Sequence, residues 1–138
     1  ALYGVNPTPG QPNPMQSVVT IMATVLQTRE IAAGETVGYG CTWMADRPTR
    51  LATIESGYAD GLLRSLSGSG FGVIEGVRVP FAGRVSMDMI VLDVTDAPPV
   101  KVGDKVELMG KNISADDVAT AAGTIGYEVL TSLMPRLF

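Results

Sequence analysis

Two tyrosines in this sequence stand on bare backbone. Tyr39 lies between glycines in VGYGCTW, residues 37–43, and Tyr58 follows Gly57 in SGYADG. Glycine neighbours carry no side chain to cover a phenol, so they leave room for another molecule to approach Tyr39 closely; the competing reading is a strand end at which the tyrosine packs. A phenol that works as a base is demanding. Its ordinary pKa is near ~10, and lowering it by about two units requires roughly 2.7 kcal/mol of preferential phenolate stabilisation. With no histidine in the chain, that stabilising charge has to come from Arg or Lys.

The other polar candidates divide by context. Asp88, in GRVSMDMIVL, is a carboxylate among apolar residues and must be hydrogen-bonded or paired to offset its desolvation; Arg84, four residues earlier, is one partner. Asp46, beside Arg47 and Arg50 in MADRPTR, reads as a solvated turn. Ser86 and Cys41 are nucleophiles in principle, but no histidine exists to activate either, and both read as packing residues. The three lysines, Lys101, Lys105 and Lys111, sit at glycine-containing turns. A lysine that forms a Schiff base needs a desolvated or charge-tuned pocket, which such turns do not provide. A metal site is not expected: without histidine, and with the single Cys41, only carboxylates remain, a set suited to magnesium or calcium rather than zinc.

The elements that must position these residues are short and mostly extended. The 138 residues, 46% of them apolar, suffice for one globular unit with a real core. Apolar segments separated by glycine turns give the rhythm of an all-β sandwich or barrel. Strands are predicted in SVVTIMATVLQTREI (long and bent), TVGYG, TRLATIESG, FGVI with VRVPFAGRV across the Glu75-Gly76 turn, MIVLDV and KVELMG. Pro80 predicts an edge position or a bulge. Ser114 followed by Asp117 is a capping signature, and Val118, Ala121 and Ala122 continue it as a helix over 115–122 that stops at Gly123. Leu62, Leu63 and Leu66 suit one further helical turn before the SGSG loop.

Composition excludes several partners. Net charge is −4 and the ten basic residues are scattered, so no stripe tracks a nucleic-acid backbone. The apolar segment 18–26 is too short to span a bilayer. Cys41 has no partner for an internal disulfide, which fits a reducing, cytoplasmic setting. Residues 1–14, with prolines at 7, 9, 12 and 14, read as an extended connector, and the opening without methionine or signal suggests a piece of a longer protein.

The series REIAAGETVGYG, SGYADGL, VPFAGRVSMDM, DVTD, KVGDKVELMG and ISADDVATAAGTIGYEVLTS resembles, in order and spacing, the C-terminal domain of the alanine racemase family. The likeness runs from about Met15 to Ser132, and ALYG with its proline-rich continuation resembles the hinge leaving that family's (β/α)8 barrel. It implies a mainly β fold, a closed or nearly closed Greek-key barrel with one or two short helices over residues 15–138, after a hinge at 1–14. It also implies an enzyme with pyridoxal phosphate held as a Schiff base on a lysine outside this chain, interconverting L- and D-alanine to supply D-alanine for peptidoglycan.

On the same resemblance, Tyr39 is the base acting on L-alanine, supplied to the other subunit of a head-to-tail homodimer. Met87 binds the substrate carboxylate through its main-chain N–H, Ser86 and Asp88 line the same loop, and Tyr58 gates substrate size. No cofactor is expected on this chain, which is expected to be inactive alone. Many relatives continue with a tyrosine that reaches the cofactor phosphate; LTSLMPRLF has none there, which leaves the role of the tail open. Two alternatives stand beside this reading: a stand-alone β-barrel binding module, and a racemase for another amino acid such as serine.

Overall fold

The computed structural model describes residues 4–133, with Tyr39 described by its backbone alone. The tail 134–138, and with it the question of a phosphate contact there, lies outside the described residues.

Six strands form one antiparallel sheet in the order β6-β5-β8-β1-β4-β7. They are β1 (Ile21–Ile31), β4 (Thr49–Ile54), β5 (Phe71–Ile74), β6 (Val77–Pro80), β7 (Ile90–Asp93) and β8 (Lys105–Met109); a separate two-stranded ribbon joins β2 (Thr36–Val37) to β3 (Trp43–Met44). The predicted long, bent strand is β1. Its first residues pair with β8 and its later ones with β4, with register shifts between Ile21 and Met22 and between Val25 and Gln27. Such bulges increase local twist and let one strand serve two directions of a curling sheet. The sheet nearly closes into a barrel where Phe81 bridges Leu92 and Ala82 N–H donates to Val91 O at 2.8 Å. Pro80 ends β6, which takes ladder bonds only from β5 in the sheet order, so its missing N–H breaks no ladder on the other side.

The core draws on most of these strands and on the turn that ends at Ile113. Val25, Ala52, Ile54, Leu92, Val106 and Ile113 are completely buried inside the barrel. A second, smaller cluster of Ile31, Val37, Ala45, Leu51 and Ala82, with Trp43 packed against it, lies under the β2–β3 ribbon. This satellite core is what holds both stems of the turn carrying Tyr39.

Helix α1 (Ala115–Ala122) occupies the predicted range. Ser114 Oγ accepts from Asp117 N–H at 3.0 Å and the Asp117 carboxylate accepts from Ser114 N–H at 2.9 Å, while Gly123 caps the other end at φ 74°. Replacing Ser114 by Ala is expected to cost about 1 kcal/mol of stability in urea unfolding, since one helix-end N–H loses its acceptor. Helix α2 (Gly126–Ser132) was not marked by any cap: its first residue is a glycine and Ile125 before it offers no side-chain acceptor. Its glycine is explained by packing, because a Cβ at Gly126 would fall 2.8 Å from both Asp116 Oδ1 and Val5 Cγ2.

Two further readings are revised. TVGYG continues as a strand only through Val37; Tyr39–Cys41 is a 3-10 turn, and Trp43–Met44 returns as an unpredicted strand. The proline-rich segment is not simply extended. Asn13 Nδ2 donates to Gly4 O, Gln11 N–H donates to Thr8 O, and Asn6 N–H donates to the Asp116 carboxylate at 2.7 Å, so the segment folds back with Val5 buried.

Candidate functional site

One short segment, residues 83–89, brings the tyrosine turns together. The first contact is with the Tyr39 turn. Gly38 adopts φ 81° and Gly83 φ 90°, and a Cβ on Gly83 would stand 3.0 Å from Val37 O, while one on Gly38 would stand 3.3 Å from Arg84 N. The two backbones therefore lie in direct contact, which only glycine permits on both sides. The Arg84 guanidinium reaches over Gly40, with Cζ 3.8 Å from the position of a Cβ there, and brings a positive charge to the turn. Cys41, next along, is exposed and holds φ 49°.

The second contact is with the Tyr58 turn. Tyr58–Asp60 form a 3-10 turn in which Asp60, a buried acid, accepts from Gly57 N–H at 2.9 Å. Tyr58 N–H donates to Ser86 O at 2.9 Å and Ala59 N–H donates to Met87 O at 3.0 Å. The turn is thus bonded backbone to backbone onto the loop carrying Ser86, Met87 and Asp88. On its other side, Gly61 (φ 100°) lies against the end of α2, where Ser132 Oγ donates to Gly61 O at 2.8 Å.

The loop closes on itself through Ser86. Its Oγ donates to Met89 O at 2.6 Å and accepts from Met89 N–H at 3.3 Å, so this hydroxyl is engaged in shaping the loop. Met87 is 52% exposed, and no described residue accepts from its N–H, although its carbonyl is taken by Ala59. An amide donor that no described residue takes is open to an anion that reaches this exposed loop. Tyr58 and Met89 are also exposed, at 43% and 48%, and Asp88 is half-buried in the loop. The structure brings Tyr58, Ser86, Met87 and Asp88 into one cluster and sets the Tyr39 turn against its base; the Tyr39 phenol lies outside what is described. Sequence reading named Gly57 only as a bare neighbour of Tyr58 and missed Asp60 and Gly83, which with it carry these contacts.

The residues remote from this cluster are occupied otherwise. Arg47 pairs with Asp96 at 2.7 Å on the surface, and that hydrogen bond and charge hold the Asp96 carboxyl below its usual range. Arg50 donates to the carbonyls of Val94, Thr95 and Ala97, and Asp46 is exposed in a bend with the Arg47 charge nearby, the solvated turn that the sequence predicted. Lys101, Lys105 and Lys111 are all exposed, and Lys105 Nζ donates to Thr24 Oγ1 across the β8–β1 ladder at 2.6 Å. None is desolvated in the manner a Schiff-base lysine requires, so these residues do not fit the anchoring of pyridoxal phosphate. Among the described residues no group of three His, Cys, Asp or Glu gathers as a metal site, and no helix is long and apolar enough to cross a membrane.

The fold and loops define a small antiparallel β-barrel domain that presents an amide donor and a tyrosine side by side without a lysine able to anchor an aldehyde cofactor. The chain belongs to the alanine racemase C-terminal domain family, whose model matches residues 18–138. It is 56% identical over 138 residues to a catabolic alanine racemase of Mesorhizobium japonicum, covering 99% of this chain and 36% of that protein. It is 55% identical over 136 residues to an alanine racemase of Acidiphilium cryptum, covering 99% of this chain and 38% of that one. Among solved structures, alanine racemase from Bartonella henselae with covalently bound pyridoxal phosphate matches with a TM-score of 0.92 and 45% identity, covering 97% of this chain and 38% of that one. The chain therefore spans little more than a third of the length of the relatives it matches.

Proposed function

We propose that this chain is the part of an alanine racemase that supplies a proton-transfer group and a carboxylate-binding amide to a site whose cofactor is held elsewhere. The observation that carries the reading is the segment 83–89: it touches both tyrosine turns and carries, on the exposed residue Met87, an N–H that no described residue accepts. Pyridoxal phosphate, found covalently bound in the Bartonella henselae relative, belongs in this reading to a lysine outside the chain. The work of this domain's own residues is local. The Met87 amide binds the carboxylate of alanine, Ser86 keeps the loop that carries it closed, Asp88 lines that loop, and the Tyr58 ring narrows access to small side chains.

Tyr39 takes or returns the Cα proton on the L face, and Arg84 brings a positive charge to its turn. A base on this domain that reaches a cofactor bound elsewhere is naturally met across a subunit boundary, so the enzyme is a homodimer, placed in the cytoplasm and feeding D-alanine to peptidoglycan. Residues 1–14 then form the joint to the cofactor-bearing part, and 15–138 the domain.

The test is racemisation. A full-length protein carrying this domain, loaded with pyridoxal phosphate, is expected to interconvert the alanine enantiomers faster than those of serine or lysine, while this chain with added cofactor is expected to do nothing. Racemisation by the chain alone would overturn the assignment of the lysine to another part.

A further inference from the structure

Gly57 has φ −160° and ψ −164°, extended backbone that any residue adopts, so backbone strain gives no reason for glycine here. Space does. A Cβ at Gly57 would fall onto the carbonyl oxygens of both Ser86 and Met87. These are the same two carbonyls that accept from Tyr58 N–H and Ala59 N–H, and they are backbone atoms that cannot swing aside as a side chain would. The buried Asp60 carboxylate holds Gly57 N–H at 2.9 Å, which fixes the turn at the height of the contact.

We propose that Gly57 is a positioning residue for substrate binding: its bare Cα lets the Tyr58 turn lie directly on the Ser86–Met87 peptide, so that the amide of Met87 and the ring of Tyr58 move as one body. The proposal rests on the reading of the Met87 N–H as the carboxylate donor. The Ser86 carbonyl and the Met87 N–H belong to one planar peptide, so the bond from Tyr58 N–H to Ser86 O restrains that plane against rotation and aims the Met87 N–H with it, while the bond from Ala59 N–H to Met87 O holds the next plane. Adding one methyl at Gly57 forces the turn off the loop, loosens both bonds, and leaves the donor without a fixed direction.

Two measurements test this. In this chain, Gly57→Ala is expected to speed hydrogen exchange at the Tyr58 and Ala59 amides by about tenfold or more, with the β1 and β4 amides little changed; a merely structural role would move all of them together. In the full-length enzyme the same variant is expected to raise KM for alanine about tenfold with a much smaller change in kcat, the sign of lost ground-state binding. Should Gly57→Ala not fold, Asp60→Asn weakens the charge-assisted hold on Gly57 without adding heavy atoms and is expected to raise KM in the same direction by about threefold.

A folded variant with unchanged exchange at Tyr58 and Ala59, or with unchanged KM, overturns the proposal. Tyr39→Phe run alongside keeps the two ideas apart. If it retains full activity, the functional reading fails; if it loses activity while Gly57→Ala leaves KM untouched, only the role of Gly57 fails.

Discussion

In a full-length racemase carrying this domain, Tyr39→Phe is expected to slow exchange of the Cα proton of L-alanine with deuterated solvent by about a thousandfold, the middle of the range for a positioned proton-transfer group. Exchange from D-alanine is expected to persist, because the opposite face is served by a group outside this chain. The asymmetry is the informative part. A tyrosine that only packed would lower both rates together or neither, and equal, undiminished rates would return Tyr39 to that role. The fold holds the backbone of its turn: both stems are buried, through Val37 and Ala45, and its glycines meet the backbone of Gly83 and the guanidinium of Arg84. A base that must reach one face of a planar system gains from such fixed delivery, since misplacement by about 1 Å can cost a hundredfold.

Replacing Glu107 by Ala is expected to remove about 3 kcal/mol of stability, measured by urea unfolding of this chain, and to lower its melting temperature by about 10 °C. Glu107 is a buried acid on β8. Its Oε1 accepts from Asn112 N–H at 2.7 Å and Ile113 N–H at 3.2 Å, and its Oε2 accepts from Asn112 Nδ2 at 2.7 Å. Truncation strands three donors in a turn whose last residue, Ile113, is completely buried, and the cost of leaving buried donors unmade exceeds the net worth of a typical bond. Glu107→Gln keeps the Oε1 acceptor and is expected to lose about 1 kcal/mol. A loss below about 1 kcal/mol in the alanine variant would mean that water enters the turn and replaces the carboxylate.

The sequence by itself determined much of this domain, because many of its rules act over a few residues. The capping pair Ser114 and Asp117 and the stop at Gly123 fix α1 locally, and apolar segments bounded by turns mark β4, β7 and β8. The order of six motifs carried the family, and with it the barrel. Local rules were silent on α2, whose first glycine is dictated by Asp116, ten residues away in the chain, and by Val5, more than a hundred away, and on the return strand Trp43–Met44, which packs with Val37 and Ala45 against Ile31, Leu51 and Ala82.

The candidate site shows the same division. Tyr39 and Tyr58 could be named from the sequence, since their type and glycine neighbours are visible in it, while Met87 was named only through the family resemblance. Only the tertiary structure decided that residues 83–89 join the two tyrosine turns, that Ser86 closes the loop, and that Gly57 is bare for space and not for φ. The reason is physical: a steric contact between backbones some thirty residues apart leaves in the sequence only a missing side chain, and glycine is also what any ordinary turn would show.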